Sequence, residues 1–204
     1  MITLYNYEDK SKDIAKEKAL NELNIEEDKV YFIENIKETG LFKNKKYDLT
    51  VIKKSDVILE IKNFLEEFSK KFNIELHSEI KENNNNINIM LVSSNNPILI
   101  GKDGKTLESL QLVLNQYIQN QTGLNIKIII DAANYKEKKV KNLEYQIKKI
   151  CKDVLRNKVA VKLDPMNSYN RRIVHNIVSE FENLTSLSEG EEPNRYIVIA
   201  NKED

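Results

Sequence analysis

The chain is poor in the residues that carry redox, metal and nucleophilic chemistry. Its 204 residues include one cysteine, two histidines, three prolines, five glycines and no tryptophan. A single thiol, Cys151, cannot close an internal disulfide, and His77 and His175 stand too far apart in sequence to form a zinc-spaced ligand set. No metal and no cofactor are therefore expected. Paired carboxylates and nucleophile–base arrangements are also missing, so no catalytic residue is assigned, and the acidic run at Glu189, Glu191 and Glu192 is read as a solvated loop. Few glycines and prolines beside 40% hydrophobic residues point to packed cores built from regular elements. The start, Met1-Ile2-Thr3-Leu4-Tyr5-Asn6-Tyr7-Glu8, lacks the basic residues and apolar run of a signal peptide. Nor is any later apolar run long enough to span a bilayer, and the chain is expected to be cytoplasmic, without membrane insertion.

Net charge is missing too, with 32 basic and 32 acidic residues, but the signs are unevenly spread. Residues 136–172 hold 12 basic against 4 acidic side chains. A positive field is therefore local rather than global.

Taken in order, residues 2–5 read as a short strand and 7–23 as an amphipathic helix with Ile14, Ala15, Lys18, Ala19 and Leu23 near helical spacing. A strand is expected over 29–36, a turn at Gly40, and a returning strand around Tyr47, Leu49 and Val51. Lys53-Lys54-Ser55-Asp56 should cap a helix whose face is Ile58, Ile61, Leu65, Phe68 and Phe72. A hairpin follows, turning at Asn83-Asn84-Asn85-Asn86, with His77 at its polar parity. After it come a short apolar segment at 97–101, a helix over 105–121 stopped by Gly123, and a strand at Ile126, Ile128 and Ile130. A long helix from about Tyr135 carries Val140, Leu143, Ile147, Ile150 and Val154 on one face. Lysines and Arg156 fill much of the rest.

The densest signal is Gly101-Lys102-Asp103-Gly104 between two helical segments. Glycine at each end permits positive φ and a close neighbour. The helix opened by Gly104 offers N–H groups and a positive dipole end, and Lys102 and Lys105 add charge for a nucleic-acid backbone. Two other readings compete: a tight turn between core helices, and a phosphate loop, since Gly104-Lys105-Thr106 resembles the end of such a motif. The phosphate loop requires a glycine where Leu99 stands and a strand running into it.

The order helix, strand, strand, short helix, glycine elbow, helix, strand resembles the type II KH domain. That resemblance implies that Gly101, Lys102, Asp103 and Gly104 are the elbow that clamps a sugar-phosphate backbone, with bases in an apolar groove beside it. Asp103 at the tip opposes phosphate, and Lys102 and Lys105 offset it.

Downstream, Asp164-Pro165-Met166-Asn167 makes a turn and caps a helix on which Arg171 and His175, four apart, share a face. A guanidinium fork beside an imidazole is a receptor for phosphate; the alternative is a surface arginine and a structural histidine. The run from Leu163 to His175, followed by Ser188-Glu189-Gly190-Glu191-Glu192-Pro193-Asn194-Arg195, closely resembles the R-three-H domain, a single-strand nucleic-acid-binding domain named for its arginine and histidine.

Together these stretches resemble the bacterial Jag family, also called KhpB or EloR. The likeness is specific over residues 56–204. In the first fifty residues Lys43 stands where the family's second glycine after Gly40 is usual, and Ser186 replaces a common threonine. The resemblance implies an α+β fold of three small domains: a βαββ Jag N-terminal domain over 1–53, a type II KH domain (αββααβ) over 54–133, and an R-three-H domain with a long leading helix over 134–204.

The function it implies is a non-catalytic regulator that binds single-stranded RNA, with single-stranded DNA the alternative, in control of cell elongation, division or envelope synthesis. Implied binding residues are Gly101, Lys102, Asp103, Gly104, Lys105, Arg171, His175 and Arg195. Implied partners are a small KH-only protein or a second copy, and an unknown protein docked on the N-terminal unit. A competing reading is a protein-interaction adaptor using the N-terminal unit and the KH surface; a phosphate-loop nucleotide hydrolase is weaker still. The RNA reading requires the elbow and the arginine–histidine pair to be open rather than buried or capped by the protein itself.

Overall fold

The computed structural model describes residues 1–39, 44–83 and 86–202, with side chains omitted at 37–39, 44 and 45; the turn expected at Gly40, Lys43 and the hairpin tip at Asn84-Asn85 lie outside these residues. Two compact units form, Met1–Asn134 and Tyr135–Asp204. The first contains two three-stranded sheets and the second contains one.

The chain opens with β1 (Tyr5–Asp9) and α1 (Lys12–Leu23), then β2 (Val30–Thr39) and β3 (Asn44–Lys53). All pairs are antiparallel, in the order β1-β3-β2. This corrects the expected start: the helix is shorter, and the strand lies further along than 2–5. Tyr5, Asn6, Tyr7, Glu8 and Asp9 pair with Val51 through Tyr47, so residues expected in the helix belong to the ladder. The helix waits for Ser11, and Ala15 and Ala19, not Ile14, face the sheet. Small side chains there bring the helix close to Leu49 and Val51.

The next segment comprises α2 (Lys54–Phe72), β4 (Leu76–Asn83), β5 (Asn86–Ser93), α3 (Asn96–Ile100), α4 (Lys105–Thr122) and β6 (Lys127–Ala132). β4 and β5 are antiparallel, β5 and β6 parallel, in the order β4-β5-β6. A parallel pair needs a crossover, and the two helices supply it. The expected cap before α2 is not made: β3 runs directly into the helix, and no side chain caps it. Its buried face is Val57, Glu60, Ile61 and Leu65, rotated from the expected one, which leaves Phe72 exposed and stacked on Phe68 at 4.4 Å.

Two polar contacts knit this unit. Tyr31, on β2, donates to Glu82 Oε1 on β4 at 3.2 Å, and Lys54 Nζ lies 2.6 Å from the same oxygen. Burial, then the Glu82 carboxylate, pushes the Tyr31 hydroxyl pKa up. Glu60 accepts from the Met1 ammonium at 2.8 Å and from the Tyr117 hydroxyl at 2.6 Å. These bonds, the ammonium first, hold its carboxyl below the usual range, while the Glu60 bond and then burial push Tyr117 up to about 12.

The second unit begins with α5 (Tyr135–Asn157), followed by β7 (Val161–Lys162), α6 (Ser168–Ser179), β8 (Leu184–Glu189) and β9 (Tyr196–Asn201). Its sheet is antiparallel in the order β7-β9-β8. The core gathers Ile147, Cys151 and Val154 from α5, Val174, Ile177 and Val178 from α6, and Ile197 and Ile199 from β9. Burial raises the Cys151 thiol pKa, as expected for a packing residue. Among the described residues no helix is long and apolar enough to cross a membrane, and no group of three or more His, Cys, Asp and Glu side chains converges as a metal site.

Because Glu60 titrates below its unfolded value, its contribution is present at neutral pH and is lost as pH falls through the carboxylate range. Glu60→Gln is expected to cost about 1 kcal/mol at pH 7. It should also flatten the decline in stability on acidification, measured by chemical denaturation between pH 7 and pH 3.

Candidate nucleic-acid interface

The elbow is built by its backbone. α3 ends at Ile100, and Gly101 takes φ +72 and ψ −178, a combination essentially confined to glycine. A Cβ there would collide with Thr106 Oγ1 and crowd its Cβ, so the α4 backbone and Thr106 pack directly on residue 101. Lys102–Gly104 makes one tight turn, closed by Gly104 N–H donating to the Gly101 carbonyl at 3.3 Å. Asp103 sits at its tip with φ +56, a left-handed conformation that aspartate tolerates better than most residues. Gly104, buried at φ +86, leads into α4, and no side chain caps that helix. Lys102, Asp103 and Lys105 are exposed. A helix, not a strand, enters the turn, which is the geometry of a helix–helix elbow and not of a phosphate loop.

Across α4 from the elbow lies an arrangement that sequence reasoning missed. β6 ends the sheet, and its outward main chain is taken up by α4 side chains. Asn115 accepts from Ile128 N–H at 3.0 Å and donates to its carbonyl at 3.0 Å, while Gln111 accepts from Ile130 N–H at 2.9 Å. Two amides four apart beside an apolar stripe were the available signal. On the α2 side of α4, Phe64, Phe68, Phe72, Leu110 and Val113 line an apolar groove of about 370 Å³.

In the second unit, α6 starts where Asn167 Oδ1 accepts from Asn170 N–H at 2.9 Å, the expected cap. One turn in, Arg171 is only 8% exposed. Its Nη1 donates to the Met166 carbonyl and its Nη2 to Glu192 Oε1, both at 2.7 Å. This corrects the expected open fork: both ends of the guanidinium are engaged by the protein, and Arg171 pins the turn before α6 to the Glu192 loop. The loop is accordingly not a purely solvated run.

His175 and Arg195 are held differently. Ser186 and Ser188 lie two apart on β8, on one face of the strand. Ser186 Oγ shares a hydrogen bond with His175 Nδ1 at 2.7 Å, and Arg195 Nε donates to Ser188 Oγ at 3.1 Å. Each serine engages the inner nitrogen of a basic side chain. Among the described residues, His175 Nε2 and the Arg195 terminal nitrogens have no hydrogen-bond partner. The sequence marks Ser186 only as a replacement for a common threonine and assigns neither serine a holding role; the hydroxyl at 186 and the alternation of 186 and 188 were the available clues. The predicted binding residues thus fall into an elbow group on one unit and an Arg171, His175 and Arg195 group on the other.

Comparison with known proteins finds a family match within each unit. Residues 60–130 match the KhpA/KhpB KH domain and residues 139–201 match the R-three-H domain. A relative in Clostridium symbiosum, called RNA-binding protein KhpB, is 34% identical over 69% of this chain and 64% of its own length. Proteins of the same name from Bacillus subtilis and Streptococcus pneumoniae are 28% and 27% identical, over 93% and 91% of this chain and 94% and 55% of their own lengths. The chain thus spans less than two thirds of two of these relatives and nearly all of the third. A KH domain followed by an R-three-H domain, on an α+β framework, defines the class. Within it, the chain belongs to the KhpB family, also called Jag.

The geometry separates two kinds of basic residue. Arg171→Ala should lower folding stability by about 1–3 kcal/mol, because it removes two charge-assisted hydrogen bonds from a buried site. Arg195→Ala should stay within about 0.5 kcal/mol of wild type. Urea denaturation of the full chain checks both.

Proposed function

We propose that this chain binds single-stranded RNA without catalysing a reaction on it. The KH elbow takes one stretch of backbone, and the His175 and Arg195 tips take another. The observation that carries this reading is the elbow: glycine-only geometry at residue 101 opens an uncapped 18-residue helix between exposed Lys102 and Lys105. N–H groups at such an end, with the helix dipole behind them, favour an anion. Arg171 acts here as a positioning residue that fixes the start of the helix carrying His175.

The domains are taken as residues 1–53, 54–133 and 134–204. Two weak phosphate-binding modules in one chain raise each other's effective concentration along a strand. Base preference is expected to be modest, because Gln111 and Asn115 already occupy the β6 main-chain groups that could read base edges. By family resemblance, the process served is control of cell elongation, division or envelope synthesis in the cytoplasm.

Fluorescence anisotropy with a short labelled single-stranded RNA tests the reading. Lys102→Ala with Lys105→Ala, and separately His175→Ala with Arg195→Ala, should each weaken binding by about tenfold. Each pair should also reduce the slope of log affinity against log salt, by about 0.7 for every phosphate no longer neutralised. Wild-type affinity indifferent to salt, or unaffected by both pairs, rejects RNA binding at these sites.

A second reading, self-association through the KH surface, is favoured by the apolar groove between α2 and α4. Light scattering at a mass above 23.8 kDa, restored to the monomer by Val113→Glu, is its expected signature.

A further inference from the structure

We propose that Tyr145, at the centre of the basic face of α5, is a base-stacking contact for single-stranded RNA, with the surrounding lysines engaging the phosphates. The proposal rests on the RNA-binding reading above and adds a contact surface to it.

Tyr145 is 74% exposed. At 3.6 residues per turn, Lys138, Lys141, Lys149, Lys152 and Arg156 all project within about 40° of it around the helix axis. The apolar residues Leu143, Ile147, Ile150 and Val154 are on the opposite side, against the core. Glu137, Glu144 and Asp153 fall to the flanks of the basic stripe, about 80–100° from Tyr145. Two of these acids are paired: Glu137 with Lys141, and Asp153 with Arg156. Lys138, Lys149 and Lys152 carry no ion pair among the described residues.

A single exposed tyrosine is ordinary. Five cations in the same narrow stripe, three of them without an ion pair among the described residues, make this one different. Four residues of helix span about 6 Å, so Lys141 and Lys149 stand about one turn on either side of the ring, and Lys138 and Lys152 about two. A polyanion is the partner whose charge fits this face. An aromatic ring among the cations adds stacking, which tolerates any base but needs that base unpaired, so a single strand fits better than a duplex. An acidic protein surface would also meet the charge, but it would not depend on the ring.

The test is anisotropy of the full chain with a short labelled single-stranded RNA of mixed sequence, beside a duplex of the same sequence. Tyr145→Ala should weaken single-strand binding by about fivefold or more, the range for removing one stacked ring, with little effect on the duplex. Tyr145→Phe should stay within about twofold of wild type, since it keeps the ring. Lys149→Gln with Lys152→Gln should lower the salt slope by about 1.4. Thermal melting should be unchanged in all three variants.

Wild-type affinity in Tyr145→Ala, equal losses in Tyr145→Ala and Tyr145→Phe, or an equal loss on the duplex overturns the stacking role. If the wild type itself does not bind single-stranded RNA, the underlying reading falls with it. If it binds and loses affinity in the elbow and His175/Arg195 variants but not in Tyr145→Ala, that reading stands and this inference alone is rejected.

Discussion

Thr106 rests against the backbone of Gly101, leaving no space for a side chain at residue 101. That close approach sets the angle at which α3 meets α4 and points the start of α4 outward. A larger residue would have to push the first turn of α4 away, and the left-handed Asp103 and Gly104 that complete the turn would lose their register. Lys102 and Lys105 owe their placement to this packing. The charge on the elbow is supplied by side chains, but its direction is set by the missing Cβ.

The second unit arranges its basic residues by a different logic. Arg171 is spent on the fold, bridging the Met166 carbonyl and Glu192 from a nearly fully buried position. Glu192 is itself largely exposed, so the pair sits at the boundary between core and solvent. His175, on α6, and Arg195, just before β9, are held by Ser186 and Ser188 of β8, which engage their inner nitrogens. The arginine and histidine that make the motif recognisable in sequence therefore do unlike work. The requirement that both be open is met in part by the histidine and not by the arginine.

Periodicity made most of the architecture legible in the sequence. Ile87, Ile89 and Leu91 alternate cleanly and are buried on one face of β5, and Leu107, Leu110, Leu114 and Ile118 form the buried side of α4. The failures have local causes. Tyr5-Asn6-Tyr7-Glu8 alternates as a strand but adjoins a helical pattern, and its pairing with β3 lies about forty residues away, beyond any local window. Phe72 looked like core because it continues the spacing of Phe68, but α2 is rotated so that Val57 and Glu60 take the inner face. Residue types showed where basic chemistry could be. The partners that hold or occupy it, Ser186, Ser188, Glu192 and Met166, come from segments joined only by tertiary packing.

Gln111 and Asn115 bear on more than the reading of bases. An end strand ordinarily leaves a row of unpaired main-chain groups that a neighbouring molecule's strand can extend, the usual route to edge-to-edge aggregation. At β6 those positions are occupied from within by two helix amides. Added to the exposed Lys127 and to Asp131 on the same strand, they stop the sheet from growing on that side. The other end strand is β4, where the exposed pair Glu79 and Lys81 supplies the charge that opposes strand addition.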